Sequence, residues 1–152
     1  MNRALPYTRI TVHHDGMDRF RSTLRSDAAD RLERIRHAHR GRRFGDIGYH
    51  YLIDPAGRVW EGRSLAWQGA HVKAQNENNL GICVLGNFEL QSPTSASLDT
   101  LDRFVRAQME RYRVPTIRLR THQEMAPTLC PGRNLQRHMV AARQRGGELV
   151  RA

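Results

Sequence analysis

Leu80-Gly81-Ile82-Cys83-Val84-Leu85 is an almost wholly apolar run, and its reading decides the fold. Continuous apolarity, without strict alternation, suits a strand at the centre of a sheet whose two faces are both covered. Asn78-Asn79 lead into it. On its N-terminal side, Gly48 to Ile53 and Arg58 to Glu61 read as the strands of a hairpin joined by the turn Asp54-Pro55-Ala56-Gly57. Arg40 to Gly45 is a basic loop. Ser26 is the expected cap of a helix to about His39, with Ala28, Leu32, Ile35 and His39 at helical spacing. Arg9-Ile10-Thr11-Val12-His13 is a short β-branched strand. On the C-terminal side, Pro93-Thr94 opens a helix to about Tyr112 with Leu98, Leu101, Val105, Met109 and Tyr112 on one face. Pro115 to Arg120 reads as an edge strand and Thr121 to Gly132 as a loop. A third helix starts near Arg133 and turns Leu135 and Met139 inward. Gly146 to Ala152 reads as a frayed basic tail. Strands and helices interleave, so the class is α/β. One domain is expected over residues 1–152, its core about 7–145, with a central mixed sheet flanked by about three helices.

A chain of 152 residues can bury a core without cross-links. With 39% hydrophobic and 26% charged residues, a disordered class is excluded. No apolar run approaches the roughly 20 residues that span a bilayer. Met1 to Tyr7 has no apolar stretch of the kind that leads a secreted chain. The formal charge of +10 favours polyanionic partners, either nucleic acid or an anionic bacterial envelope. Lys73 is the sole lysine, so 24 of the 25 basic residues are arginine, a bias that a GC-rich genome produces without any partner. Two cysteines make no disulfide framework. Cys83, inside the apolar run, reads as a small buried hydrophobe. Cys130 stands in a polar, Pro-flanked loop near a histidine, and its context is chemical.

His13 follows a strand, His122 follows the next strand but three, and Cys130 lies eight residues beyond His122 in the same loop. Three protein ligands and one open position are what a catalytic zinc site needs. Two neutral imidazoles and one thiolate would leave such a site with a net charge near +1, which favours ionisation of water near neutral pH. Spacing alone leaves the other histidines in competition, for the chain has eight. His14 is expected on the opposite face of the strand from His13. Tyr49 by itself reads as a half-buried strand tyrosine, and His50, on the other side of that strand, as structural.

Several stretches in order carry a family resemblance. They are Ile10-Thr11-Val12-His13-His14, Asp46-Ile47-Gly48-Tyr49-His50-Tyr51-Leu52-Ile53, Gly57-Arg58-Val59-Trp60-Glu61-Gly62-Arg63, Gly69-Ala70-His71, Asn79-Leu80-Gly81-Ile82 with Leu85-Gly86-Asn87-Phe88, and Thr121-His122 with Cys130-Pro131-Gly132. Over roughly residues 7 to 140 the chain resembles the type-2 N-acetylmuramoyl-L-alanine amidases, which include the short phage amidase endolysins and the animal peptidoglycan recognition proteins. The spacing from His122 to Cys130 is nearest to the phage enzymes. The resemblance implies the recognition-protein fold, zinc held by His13, His122 and Cys130, and Tyr49 as the catalytic tyrosine, whose hydroxyl would stabilise an oxyanion or orient water. Thr128 stands where phage enzymes carry a lysine and catalytic recognition proteins often carry threonine. It can supply a hydroxyl donor but no charge. His71 with Gly69-Ala70 matches a segment that lines the substrate groove in the family; Arg63 and Asn79 are expected either to touch the muropeptide substrate as well or to serve turns and strand ends. The implied reaction cleaves the amide between N-acetylmuramic acid and L-alanine of peptidoglycan, with zinc polarising the carbonyl and activating water.

The resemblance also frames the rivals. A non-catalytic peptidoglycan-binding module typically lacks the zinc cysteine. A cytoplasmic recycling amidase would use a carboxylate as third ligand. A cysteine peptidase would use Cys130 as nucleophile with His122 or His71 as base. A nucleic-acid-binding domain rests on charge alone, without a base-reading motif, so no specific nucleic acid is expected. The expected protein is a monomer without a transmembrane segment. Its expected location is the host cytoplasm until release to the cell wall, or outside the cell if a leader has been removed.

Overall fold

The apolar run is the middle strand of a five-stranded sheet. In the computed structural model, which describes residues 1–145, the elements are β1 (Arg9–His14), α1 (Arg25–Gly41), β2 (Tyr51–Ile53), β3 (Val59–Glu61), β4 (Asn79–Val84), α2 (Ser95–Tyr112), β5 (Leu119–Thr121) and α3 (Arg133–Gln144). The expected tail at residues 146–152 lies outside the described residues. The sheet order is β3-β2-β4-β1-β5. β4 runs parallel to β1 and β2, β5 runs parallel to β1, and β3 is antiparallel to β2, so the sheet is mixed as expected. All six residues of β4 are buried, which is why that strand shows no polar alternation.

The two sheet faces are covered unequally. On one, Ile10, Val12, Leu80, Ile82 and Val84 pack against Leu101, Val105 and Met109 of α2 and Leu135 and Met139 of α3. Each such side chain contributes roughly 1.5–3 kcal/mol by leaving water. On the other, Leu52 and Cys83 meet Ala28, Leu32 and Ile35 of α1 in a smaller cluster. Thr11 and His13 alternate with Ile10 and Val12 and therefore turn to this second face. Buried polar residues thus occupy the part of the α1 face that apolar side chains leave.

Local chemistry accounts for where the elements differ from expectation. Helix α1 begins one residue before Ser26, and that serine makes no cap. Ser22 acts instead, accepting from the Leu24 amide at 3.2 Å and donating to the Asp27 carboxylate at 2.5 Å. Thr94 caps α2 as expected, accepting from the Ser97 amide at 3.1 Å. The strand expected from Gly48 starts only at Tyr51. The Ala70 amide donates to the Gly48 carbonyl at 3.0 Å, and a Cβ at position 48 would lie 2.0 Å from the Ala70 oxygen. That close approach draws Gly48 out of the ladder. Of the strand expected over Pro115 to Arg120, the first part is a 3-10 turn in which the Arg118 amide returns to the Pro115 carbonyl at 2.9 Å. Only Leu119–Thr121 pairs, and it does lie at the edge.

Just beyond β1, Asp15 and Arg31 form a buried ion pair, each side chain 2% exposed. Arg31 Nη2 donates to Asp15 Oδ1 at 2.6 Å and Nε to Oδ2 at 3.1 Å. Asp15 Oδ2 also accepts from the Gly86 amide at 2.9 Å. One carboxylate therefore ties the exits of β1 and β4 to α1. Replacing Arg31 by Met leaves that carboxylate buried without its cation and is expected to lower unfolding stability by about 3–5 kcal/mol. Urea unfolding of the variant measures this, and a loss below about 1 kcal/mol would show that the clamp contributes little.

Candidate metal centre

Strand register brings the two histidines together. Val12 pairs with Thr121 in the β1–β5 ladder, so the next residues, His13 and His122, come side by side with ring centroids 4.7 Å apart. The turn carrying His122 is held by Glu124, which accepts from the Thr121 amide at 3.0 Å and from Gln136 Nε2 at 2.9 Å and pairs with Arg143. Cys130 reaches the same point from the following loop. Gly132, at φ +87°, closes that loop against the Phe88 backbone, where a Cβ would lie 2.4 Å from the Phe88 carbonyl carbon. Cys130 Sγ is 3.5 Å from His13 Nδ1. One nitrogen of each histidine and the sulfur all lie within 4.8 Å of one another.

The three groups suit a divalent cation. Burial, reinforced by His71 and His122, pushes the imidazole of His13 well below the ordinary histidine range, and burial lowers that of His122. Both therefore keep a bare nitrogen lone pair at neutral pH. Burial pushes the Cys130 thiol up to about 12. Burial thus works against a free nucleophilic thiolate at Cys130, which would need its pKa lowered. A bound metal ion would deprotonate the thiol outright. The 3.5 Å between sulfur and nitrogen is close to the roughly 3.6 Å that separates S and N ligands around a tetrahedral zinc.

A hollow of about 450 Å³ adjoins the cluster, and Tyr49, His71 and His122 are part of its wall. The ring of Tyr49 is centred 5.0 Å from that of His13. Burial raises its phenol well above the ordinary value, so the hydroxyl keeps its proton and remains a donor. The Thr128 hydroxyl accepts from the Cys130 amide at 3.2 Å, shaping the loop that presents the sulfur.

The three candidate substrate contacts are distributed differently. His71 is buried beside His13, with Nδ1 2.8 Å from His13 Nε2. Arg63 is buried, and its guanidinium donates to the carbonyls of Ile47, Gln68, Phe44 and Asp46 at 2.5–3.3 Å, bolting the segment before β2 to the loop after β3. Asn79 is fully buried, accepting from Thr11 Oγ1 at 2.8 Å and donating to the Gln75 carbonyl at 2.9 Å. These bonds make Arg63 and Asn79 parts of the framework. His14 faces the α2–α3 side, where its Nδ1 accepts from the Phe88 amide at 3.1 Å. His50 accepts from the Gly81 amide at 3.1 Å and meets the Trp67 carbonyl at 2.9 Å. His39 and Arg42 also line the hollow. Sequence reading left them as a helix face and a basic loop, and only the fold brings them to Tyr49.

Residues 3–133 match the family described as N-acetylmuramoyl-L-alanine amidase. The chain belongs to this amidase family. Peptidoglycan-recognition protein SD of Drosophila simulans is 38% identical over 94 residues, covering 61% of this chain, which thus spans about half, 50%, of that relative's length. The endolysin of Escherichia phage T7 is 31% identical over 111 residues, covering 70% of this chain and 72% of the endolysin. Among solved structures, Drosophila peptidoglycan recognition protein SD superposes with a TM-score of 0.83 at 26% identity, covering 91% of this chain and 83% of that one. The resemblance and the fold expected from it are thereby shown.

The amidase fold here buries histidines in neutral form, and this sets its acid response. Burial holds His39 and His50 down to about 4 and His71 to about 3. In the unfolded chain they titrate near 6.5. Below that pH the unfolded state takes up protons that the folded state refuses, so stability falls as pH falls from about 6.5 towards 4. The slope is roughly 1.4 kcal/mol per pH unit per histidine. Urea unfolding of the metal-free protein at pH 7 and pH 5 is expected to show lower stability at pH 5, and equal stabilities would contradict the burial of neutral imidazoles.

Proposed function

We propose that the protein is a zinc-dependent N-acetylmuramoyl-L-alanine amidase that hydrolyses the amide between N-acetylmuramic acid and L-alanine of peptidoglycan, acting as a phage-type endolysin. The observation that carries this reading is the meeting of His13, His122 and Cys130 within 4.8 Å beside the hollow that contains Tyr49. Zinc held by these three would supply Lewis acidity, polarising a carbonyl and lowering the pKa of water. The chain's own residues do the rest. Tyr49 keeps its hydroxyl proton and donates it as a hydrogen bond to the oxyanion that forms when the amide carbonyl is attacked. Thr128 offers a second hydroxyl from the loop of Cys130. Like that of Tyr49, this donor is uncharged, so Thr128 supplies none of the positive charge that a lysine at this position would bring.

The relatives named for peptidoglycan recognition favour a muropeptide as ligand, and the phage relative named endolysin favours a lytic role. The formal charge of +10 would speed encounter with anionic envelope polymers without choosing the bond cut. An endolysin would wait in the host cytoplasm until the inner membrane is breached. No described helix is long and apolar enough to cross a membrane.

Mass spectrometry of digested peptidoglycan is the test. The expected products are stem peptides with a free L-alanine amine and glycans with an intact lactyl carboxylate. Activity is expected to vanish on chelation and return with added zinc. Zinc-loaded protein that binds peptidoglycan but releases nothing would favour a recognition module. Activity that survives chelation and is lost on thiol alkylation would favour a cysteine peptidase. Tyr49→Phe is expected to lower kcat by roughly 10²–10³ with zinc content unchanged, the size seen for loss of one oxyanion donor.

A further inference from the structure

We propose that His71 is a positioning residue for the metal centre: its Nδ1 accepts the Nε2–H of His13, so that His13 meets the ion through Nδ1. This role rests on the zinc reading above. It follows from counting protons. A neutral imidazole has one N–H and one lone pair. His71 Nε2 stands 3.0 Å from the Asn79 carbonyl oxygen, which can only accept. The single proton of His71 therefore sits on Nε2, and its Nδ1 is a lone pair. That lone pair is 2.8 Å from His13 Nε2, which must be the donor. The proton of His13 is thus fixed on Nε2. Its Nδ1 is left bare, on the side where Cys130 Sγ lies at 3.5 Å. The two rings stand nearly perpendicular, at 86°, so the bond fixes orientation as well as tautomer.

A second observation shows that the fold is shaped around this ring. A Cβ on Gly69 or on Gly81 would lie 2.6 or 2.7 Å from His71 Cδ2. Glycine weakens a strand interior and often marks a close neighbour. Gly81, in the middle of the central strand, is thereby explained: the imidazole of His71 occupies the space of its side chain. The backbone of His71 is fixed too, because Asn76 Oδ1 accepts from the amides of His71 and Val72, each at 2.8 Å.

The choice of acceptor has a chemical consequence. The group that accepts the other N–H of a metal-binding histidine is frequently a carboxylate. A carboxylate here would cancel the last positive charge of a site made of two neutral imidazoles and one thiolate. A neutral imidazole orients His13 and leaves the net charge near +1, which sustains the electrophilicity that amide hydrolysis needs. His71 therefore serves the ligand sphere through His13.

Long-range ¹H–¹⁵N spectra of the histidine side chains test the tautomer directly in the metal-free protein, and chelator competition tests its effect on zinc affinity. His13 is expected to carry its proton on Nε2 with and without zinc. His71→Leu, which removes the acceptor, is expected to weaken zinc binding roughly 10–100-fold. His71→Asn, whose side-chain oxygen can take the place of Nδ1, is expected to retain most of the affinity. Gly81→Ala, which displaces the ring, is expected to behave like His71→Leu. A proton on His13 Nδ1, or a folded His71→Leu variant that binds zinc as tightly as the unaltered protein, would overturn the proposal. If His71→Leu does not fold, the tautomer in the unaltered protein decides. If the unaltered protein takes up no zinc, the function proposed above falls and this role with it. An Nε2–H tautomer in that metal-free protein would then show that the hydrogen bond exists without a metal to serve.

Discussion

The pairing of β1 between β4 and β5 is the constraint on which the rest of the molecule depends. Residue 13 is far along the chain from residues 122 and 130, and the parallel ladders bring their neighbourhoods together. Side chains alternate along a strand, so a slip of one residue would send His13 into the α2–α3 core and Val12 to the metal side. Both edges of β1 are occupied, which pins the register, and the Asp15–Arg31 pair anchors its exit. The large apolar cluster on the α2–α3 face carries the stability. The α1 face, less fully covered by apolar side chains, is the one that can hold polar chemistry.

Electrostatics then select what the site can hold. Two imidazoles held neutral and one thiol held protonated by burial make a cluster of neutral donors suited to a cation. Burying such groups is unfavourable unless they are partnered. His13 is partnered on one side by His71 and on the other by the sulfur, and the remaining lone pairs are those a metal would take. A ligand that binds only the folded state stabilises it by mass action. The arrangement that suits chemistry would thus also make the fold firmer with its ion than without.

Sequence reading reached the elements whose signals are local. The apolar run of β4, the turn at Asp54 to Gly57 and the Thr94 cap each depend on a few adjacent residues. It missed what distant backbone decides. Gly48 leaves the ladder because Ala70 approaches it, and the first half of the edge strand becomes a turn closed by Pro115. Arg63 and Asn79 were open to two readings, substrate contact or turn and strand-end support, because charge and polarity look alike whether a group meets ligand or carbonyl. Their burial separates the two. The ligand trio was legible mainly through family resemblance, since eight histidines offer many triplets. Gly81 was the one overlooked local signal: glycine inside a buried strand asks for a close neighbour, and the neighbour proved to be His71.

X-ray absorption at the zinc edge, on protein loaded with one equivalent, tests the central claim most directly. Two nitrogen scatterers at about 2.0–2.1 Å and one sulfur at about 2.3 Å are predicted, with the sulfur lost in Cys130→Ser. A first shell without sulfur in the unaltered protein, or a sulfur that persists in Cys130→Ser, would contradict a centre built from His13, His122 and Cys130.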